Sequence, residues 1–283
     1  MQVRTSSESP CIQKLGYQEG PNIMRFRRAL LLALLTLVTA CGSSNSKSSS
    51  SSTSTSGNWQ MSLQNGASTQ LPRTQSGSLV QTNNVITGNV IFTDAPCSGV
   101  ASVSGSVNGS AVSLIVDPTG LQVSLTGTLD SNQTSMSGNY TILSAGCGSS
   151  NSAPQAGTFT ANMVSPLNGN ITGTYLSNNL VTTYAVTGQV KQGANTGDSS
   201  TPLTGSLSFT GFCYATANIV GSISGTSVVL NLVNADGTRV GQLNGTTSLD
   251  GTLVTGTYGY VGLGTGAPKG CDSGGNGTFT FSL

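Results

Sequence analysis

The chain has 283 residues, no histidine, and Asp, Glu, Lys or Arg at only 7% of positions; an ordinary soluble chain is about 25% charged. Its surface must be solvated by Ser, Thr, Asn, Gln and 38 glycines, which excludes long charged surface helices and removes the commonest general acid–base residue. The formal net charge of +1 points to neither nucleic acid nor an acidic surface as partner.

Residues 1–23 carry scattered charges, Cys11 and both glutamates, Glu8 and Glu19, without periodicity. They are expected to be untranslated or disordered, with Met24 as the start. Residues 24–40 read as a secretory signal. Basic Met24-Arg-Phe-Arg-Arg28 precedes an apolar run and the small residues Thr39-Ala40. The run is about ten residues, where a membrane-spanning helix needs roughly 20. The segment Val38-Thr-Ala-Cys41 resembles the lipobox of bacterial lipoproteins. That resemblance implies cleavage before Cys41 and acylation of Cys41 by diacylglycerol and palmitate, and two or three chains anchor stably where one does not. Gly42 and Ser43 follow where an Asp would imply inner-membrane retention, so the resemblance implies a bacterial cell envelope address, the outer membrane above the inner. Residues 41–56 form an acylated Ser-rich tether with a reach of roughly 20 Å. Past Cys41 seven Asp stand against Lys47, Arg73, Lys191, Arg239 and Lys269, a balance of five minus seven, or −2.

Beyond the tether the sequence repeats itself. Ile86-Thr-Gly-Asn-Val-Ile-Phe-Thr93 matches Leu203-Thr-Gly-Ser-Leu-Ser-Phe-Thr210, Gly105 matches Gly221, Leu114 matches Leu230, Tyr140 matches Tyr258, Cys147 matches Cys271, and Gly157-Thr-Phe-Thr160 matches Gly277-Thr-Phe-Thr280. The copies are placed at 57–165 and 167–283, joined near Pro166. Within each copy apolar residues recur every second position, as in Val123-Ser-Leu-Thr and Phe279-Thr-Phe-Ser, the period of half-buried antiparallel strands. Turn chemistry such as Asn108-Gly109, Ser224-Gly225 and Asp250-Gly251 separates them. Strands are expected to begin near Trp59, Leu79, Val85, Ala101, Ala111, Leu121, Met136 and Gly157, and at the matching places in the second copy. The fold class is therefore all-β: two tandem homologous antiparallel meanders of about eight strands each, closed as barrels or flattened as sandwiches. Glycines within the strands imply close backbone approach and a tightly packed interior.

The opening Gly57-Asn-Trp59 and the closing Gly-Thr-Phe-Thr strand resemble the calycin group of eight-stranded ligand-binding barrels, although the second copy has Ile171 at the Trp position. The resemblance implies barrels that hold a small apolar ligand. Aromatic side chains, Trp59, Tyr140 and Tyr258 among them, are the candidates for recognition, with faces that suit a sugar or a lipid tail. Because Tyr140 and Tyr258 occupy equivalent repeat positions, a shared core role is the simpler expectation.

Four cysteines lie in the repeats, and duplication favours equivalent disulfides, Cys97–Cys147 and Cys213–Cys271. In a meander both partners fall in connections at one end. No Cys/His spacing suits zinc and no clustered Asp suits calcium, so no metal or cofactor is expected. Asp117, Asp130, Asp236 and Asp250 stand where hairpin turns need them. A serine nucleophile would lack a base. No catalytic residues are expected. The expected function is that of a lipid-anchored envelope module, structural, adhesive or interacting, with small-ligand binding as the alternative. A transmembrane barrel would require an apolar outer band with aromatic girdles, and the chain has too few aromatics for it.

Overall fold

A computed structural model describes residues 54–65, 73–93, 98–118, 122–143, 156–211, 213–263, 271 and 274–283. The segments expected to be signal and, for the most part, tether lie outside these residues, as do Cys41, Cys97 and Cys147. The described chain is all-β and forms two closed eight-stranded antiparallel barrels in tandem. The first comprises β1 (Gly57–Asn65), β2 (Arg73–Thr82), β3 (Val85–Phe92), β4 (Gly99–Asn108), β5 (Ala111–Asp117), β6 (Val123–Leu129), β7 (Ser135–Ile142) and β8 (Ala156–Val164). The second comprises β9 (Asn168–Ser177), β10 (Thr182–Gln192), β11 (Thr201–Phe209), β12 (Thr216–Ser224), β13 (Ser227–Val233), β14 (Arg239–Thr247), β15 (Leu253–Tyr260) and β16 (Gly275–Ser282). Each is an up-and-down meander closed by its first and last strands, β1 with β8 and β9 with β16. Closure leaves no unpaired edge, so the flattened sandwich does not occur.

Strand after strand, the alternation becomes an inside and an outside. In β6, Val123, Leu125 and Leu129 point inward while Thr126 and Thr128 are exposed. The matched residues of the two copies occupy the same register: Gly105 pairs with Leu114 as Gly221 does with Leu230, and Tyr140 pairs with Gly157 as Tyr258 does with Gly277. Inward glycines sit where neighbouring strands crowd together. A Cβ on Gly138 would run into the Thr126 carbonyl oxygen and lie 2.5 Å from the Cα of Gly127, its partner across the ladder. Side chains cannot be accommodated at these points, which lets a narrow barrel coil tightly enough to close.

Each interior is filled by its own side chains. Trp59, Met61, Leu79, Ile86, Phe92, Leu114, Leu125 and Phe159 belong to one buried cluster, and Ile171, Tyr175, Leu203, Ile223, Leu243, Phe279 and Phe281 to another. Removing such side chains from water supplies the main drive for folding, at about 25 cal/mol per Å² of apolar surface.

Strand β2 begins at Arg73, six residues before the apolar alternation becomes visible at Leu79. Its first half reads Arg-Thr-Gln-Ser-Gly-Ser, yet Gln75, Ser76, Gly77 and Ser78 are all buried. Gly77 faces the barrel interior, while Ser76 and Ser78 face the second barrel, so both sides are covered although the residues are polar. Ser76 Oγ and Ser224 Oγ are 2.9 Å apart, and Ser78 Oγ and Thr201 Oγ1 are 3.1 Å apart. Beside them Asn58 grips the β12–β13 turn. Its Nδ2 donates to the Gly225 carbonyl at 2.7 Å, and its Oδ1 accepts from the Gly225 N–H at 2.6 Å. Gln60 Oε1 accepts from the Thr226 N–H at 3.1 Å. Asn195 Nδ2 donates to the Leu79 carbonyl and Asn89 Nδ2 to the Gly197 carbonyl. The barrel junction is thus a polar seam in which side-chain amides complete backbone hydrogen bonds, as burial of polar groups demands.

Candidate functional site

Of the aromatic side chains expected to meet a ligand, Trp59 sits at one end of the first barrel. It is fully buried, and its indole N–H donates to the Thr55 carbonyl at 2.8 Å. Thr55 is held in turn by Gln81, whose Oε1 accepts from both its N–H and its hydroxyl. Trp59 therefore fastens the segment just before β1 to the barrel. Tyr140 stands elsewhere. It pairs with Gly157, which pairs with Asn65, six residues along β1 from Trp59, a separation of roughly 20 Å at about 3.3 Å per residue. Tyr258 lies in the other barrel. The three share no site, and Tyr140 and Tyr258 occupy one core position twice, each 3% exposed.

In the second barrel Tyr258 joins an aromatic cluster that the repeat pattern alone does not reveal. The Tyr175 ring lies 4.8 Å from Tyr258 and 5.3 Å from Phe209 in edge-on contact, geometry favoured by the ring quadrupoles. Tyr258 stacks on Tyr260 at 6.3 Å, and Tyr260 meets Tyr214 edge-on at 6.0 Å. The Tyr214 hydroxyl donates to the Val261 carbonyl at 2.6 Å. Burial pushes the Tyr175 hydroxyl well above its ordinary pKa of 10.0 and raises those of Tyr140, Tyr214 and Tyr258. The charged form of a phenol is disfavoured where water is excluded, so these groups are poor proton carriers at neutral pH.

Next to this cluster is the disulfide Cys213–Cys271, Cα atoms 5.4 Å apart, tying the β11–β12 connection to the β15–β16 connection. Both connections leave the same end of the barrel, as a meander requires. The Tyr260 hydroxyl is 3.0 Å from Cys213 Sγ, which as a disulfide sulfur can only accept. The matching pair, Cys97 and Cys147, falls outside the described residues.

In the strands of the first barrel one buried inward side chain breaks the apolar pattern. Gln75 is fully buried between Met61 and Phe92 in the ladder, and neither its Nε2 nor its Oε1 has a hydrogen-bond partner among the described residues. Its counterpart in the second barrel is Val186: each stands two residues before the inward glycine, Gly77 or Gly188, that pairs with Trp59 or Ile171. Sequence reasoning passed over Gln75 because β2 was expected to begin later.

The aspartates cap turns. Asp130 Oδ1 accepts from the N–H groups of Thr134 and Ser135, Asp236 Oδ1 from the Thr238 N–H, and Asp250 Oδ1 from the Ser248 hydroxyl and from the Thr252 N–H and hydroxyl. These bonds, led by Ser135, Thr238 and Ser248 respectively, hold the three carboxyls below their usual pKa of 3.8. Asp117 is the last residue of β5, with Gln122 Nε2 donating to it at 3.3 Å. No group of three or more His, Cys, Asp or Glu that could hold a metal ion occurs among the described residues.

Grooves among the described residues lie on the outside of the barrels. One of about 600 Å³ crosses β9, β10 and β11 beside Asn170, Gln189, Lys191 and Ser206. Another of about 470 Å³ runs between the barrels at Ser135, Asn162, Ser165 and Asp250.

No family model and no curated protein matches the chain. Among solved structures, kievitone hydratase from Nectria haematococca is similar at 8% identity, with a TM-score of 0.22, over 81% of this chain and 89% of that one. Similarity at that level carries no functional argument.

Proposed function

We propose that the chain is a lipid-anchored envelope protein whose paired barrels serve as a structural, adhesive or interaction module without catalysis. The observation that carries this reading is the filled interior of both barrels, which leaves the hydroxyl- and amide-rich outer faces as the working surface. Those faces are poor in charge and, on strands such as β6, consist of Ser and Thr, so contacts made there are short-range hydrogen bonds and steric fit. Acylation of Cys41 and an outer-membrane address rest on the lipobox resemblance; a 15-residue spacer between Cys41 and Gly57 would hold the barrels close to the bilayer. The test is intact-mass spectrometry and membrane partitioning of the protein made with its own signal, wild type beside Cys41→Ala. A diacylglyceryl increment lost together with membrane association in the variant is the expected result. An unacylated chain still carrying residues 1–40 would overturn the anchor. A barrel embedded in the membrane would stay there without Cys41.

A second reading, a small apolar ligand carried inside the first barrel, has one observation in its favour, the buried Gln75 amide described above. A buried polar group without a partner costs about 1–3 kcal/mol, and a ligand with one polar group on an apolar body would offset that. Native mass spectrometry decides: an adduct that survives desalting and disappears in Gln75→Leu would make ligand binding the primary function. A more stable Gln75→Leu protein with no adduct in either form would discard it.

A further inference from the structure

The barrel junction uses two different surfaces, and each has an unused counterpart on the other barrel. On the gripping side, Asn58, Gln60, Ser76 and Ser78 hold the second barrel. Ladder register gives their equivalents in the second barrel: Trp59 pairs with Gly77 as Ile171 pairs with Gly188, so Asn58, Gln60, Ser76 and Ser78 correspond to Asn170, Thr172, Thr187 and Gln189. All four equivalents are exposed. The gripped side is the turn Ser224-Gly225-Thr226, whose equivalent in the first barrel is Asn108-Gly109-Ser110, also exposed. The two glycines share a backbone, with φ of +55° at Gly225 and +61° at Gly109. They differ in their surroundings. A Cβ on Gly225 would run into Gln60 and lie 2.6 Å from Ser76 Cβ, whereas nothing stands within 4 Å of one on Gly109.

We propose that the protein assembles head to tail, the Asn108–Ser110 turn of one molecule seating on the Asn170 face of the next and repeating between molecules the junction that joins the barrels within one. Asn170 keeps the amide that reads both backbone groups of the turn glycine. The groove of about 600 Å³ spans Asn170, Gln189 and Ser206, the equivalents of Asn58, Ser78 and Asn89. Two differences weaken the contact relative to the internal one. Thr172 is shorter than Gln60, and the loop carrying Asn195 and Gly197 has only the two-residue turn Asn83-Asn84 as its counterpart. The intermolecular joint also lacks the short covalent link through Pro166, so it forms by mass action and not at a fixed effective concentration. A contact between two different surfaces of one chain does not consume itself, so growth continues until the geometry closes a ring or extends a filament. The proposal deepens the structural-module reading and is independent of the anchor.

The test uses the full chain carrying Cys41→Ala, so that acyl chains play no part, followed by sedimentation velocity from roughly 1 µM to roughly 1 mM. The weight-average mass is expected to rise with concentration past the dimer. Asn170→Lys blocks the gripping face and Ser110→Arg blocks the turn. Each variant alone is expected to stay monomeric, while an equimolar mixture, which offers one open face and one open turn, gives dimers and nothing larger. A wild-type chain that is monomeric throughout, variants that assemble as the wild type does, or a mixture that stays monomeric would each overturn the proposal. A membrane-anchored chain that fails this test remains anchored, so the two readings fall separately.

Discussion

Replacing Asn58 by Ala removes both hydrogen bonds that hold the Gly225 peptide groups, at 2.6 and 2.7 Å. Asn58 is 3% exposed, so the freed N–H and C=O stay largely out of water. Each stranded group costs about 1–3 kcal/mol, and partial relief by Gln60 or an entering water brings the expected total to about 2–4 kcal/mol. The loss acts on the joint more than on either barrel, whose ladders and apolar interiors are untouched. Residues 51–283 form one compact unit, so the wild type is expected to unfold in one calorimetric transition and Asn58→Ala in two. The duplication supplies the control. Asn170→Ala alters the same residue type at the same register of the other barrel, but on an exposed face, and is expected to cost no more than about 0.5 kcal/mol at dilute protein. Equal effects of the two substitutions, or a single transition with under about 0.5 kcal/mol lost in Asn58→Ala, would refute the view that amide pairing couples the barrels.

Removal of the disulfide by Cys213→Ser with Cys271→Ser releases a loop closed over a sequence separation of 58; chain entropy sets the expected loss at about 4 kcal/mol, read from guanidinium unfolding. A loss under about 1 kcal/mol would mean that the reduced chain is already constrained there. Gly138→Ala drives a methyl group into the Thr126 carbonyl and the Gly127 backbone; a loss of at least about 2 kcal/mol, or no soluble protein, is expected. Gly109→Ala meets open space and should cost only about 1–2 kcal/mol from its positive φ. Alkaline titration probes the buried phenols. Their folded pKa values are raised, so the stability they confer is complete below the unfolded value of about 10 and declines as pH rises through the folded values; tyrosinate absorbance should therefore appear together with unfolding. Tyrosinate forming in a protein that stays folded would show that the rings are accessible. The turn carboxylates of Asp130, Asp236 and Asp250 have lowered values and act in the opposite sense, their contribution being complete above about 3.8 and declining as pH falls through the folded values.

What the sequence made legible was whatever rests on period and repetition. Alternation of Val, Leu and Phe with Ser and Thr located the strands, and the matches Gly105 with Gly221 and Tyr140 with Tyr258 anticipated the shared register, because a one-residue slip would turn every core side chain outward. The Cys213–Cys271 bond followed from the duplication, which favours equivalent bonds within each copy, and the meander agrees because both connections emerge at one end. Barrel and sandwich could not be separated by the same reasoning, as both demand one apolar face; the close approaches at glycines such as Gly138 are visible only with the neighbouring strand in place. The onset of β2 was missed for a related reason. Gln75, Ser76 and Ser78 look like solvated residues until the first barrel encloses Gln75 and the second covers the two serines, and nothing local distinguishes a serine facing water from one facing Ser224. Tyr140 and Tyr258, at equivalent repeat positions, are both core residues, 3% exposed, whereas the place of Trp59 at the other end of β1 from the Tyr140 neighbourhood needed the register of β1, β7 and β8.

The differences between the copies say more about function than their likeness does. Two copies joined through unlike surfaces leave one of each surface bare by geometry alone; the residues on them have diverged, with Gln60 and Ser76 against the Gly225 turn and Thr172 and Thr187 exposed at the same register of the second barrel. Each barrel closes its own ladder, so neither needs the other to satisfy an edge, and the joint is made of amides and hydroxyls that water could equally satisfy. Such a joint contributes little net stability per bond and much orientation, because Asn58 accepts and donates along fixed directions to a single peptide. A pair of rigid bodies held at a set angle by a polar seam, with the same seam half-presented at each outer end, suits a spacer or a lattice element better than a carrier, whose barrel would have to open or stay hollow.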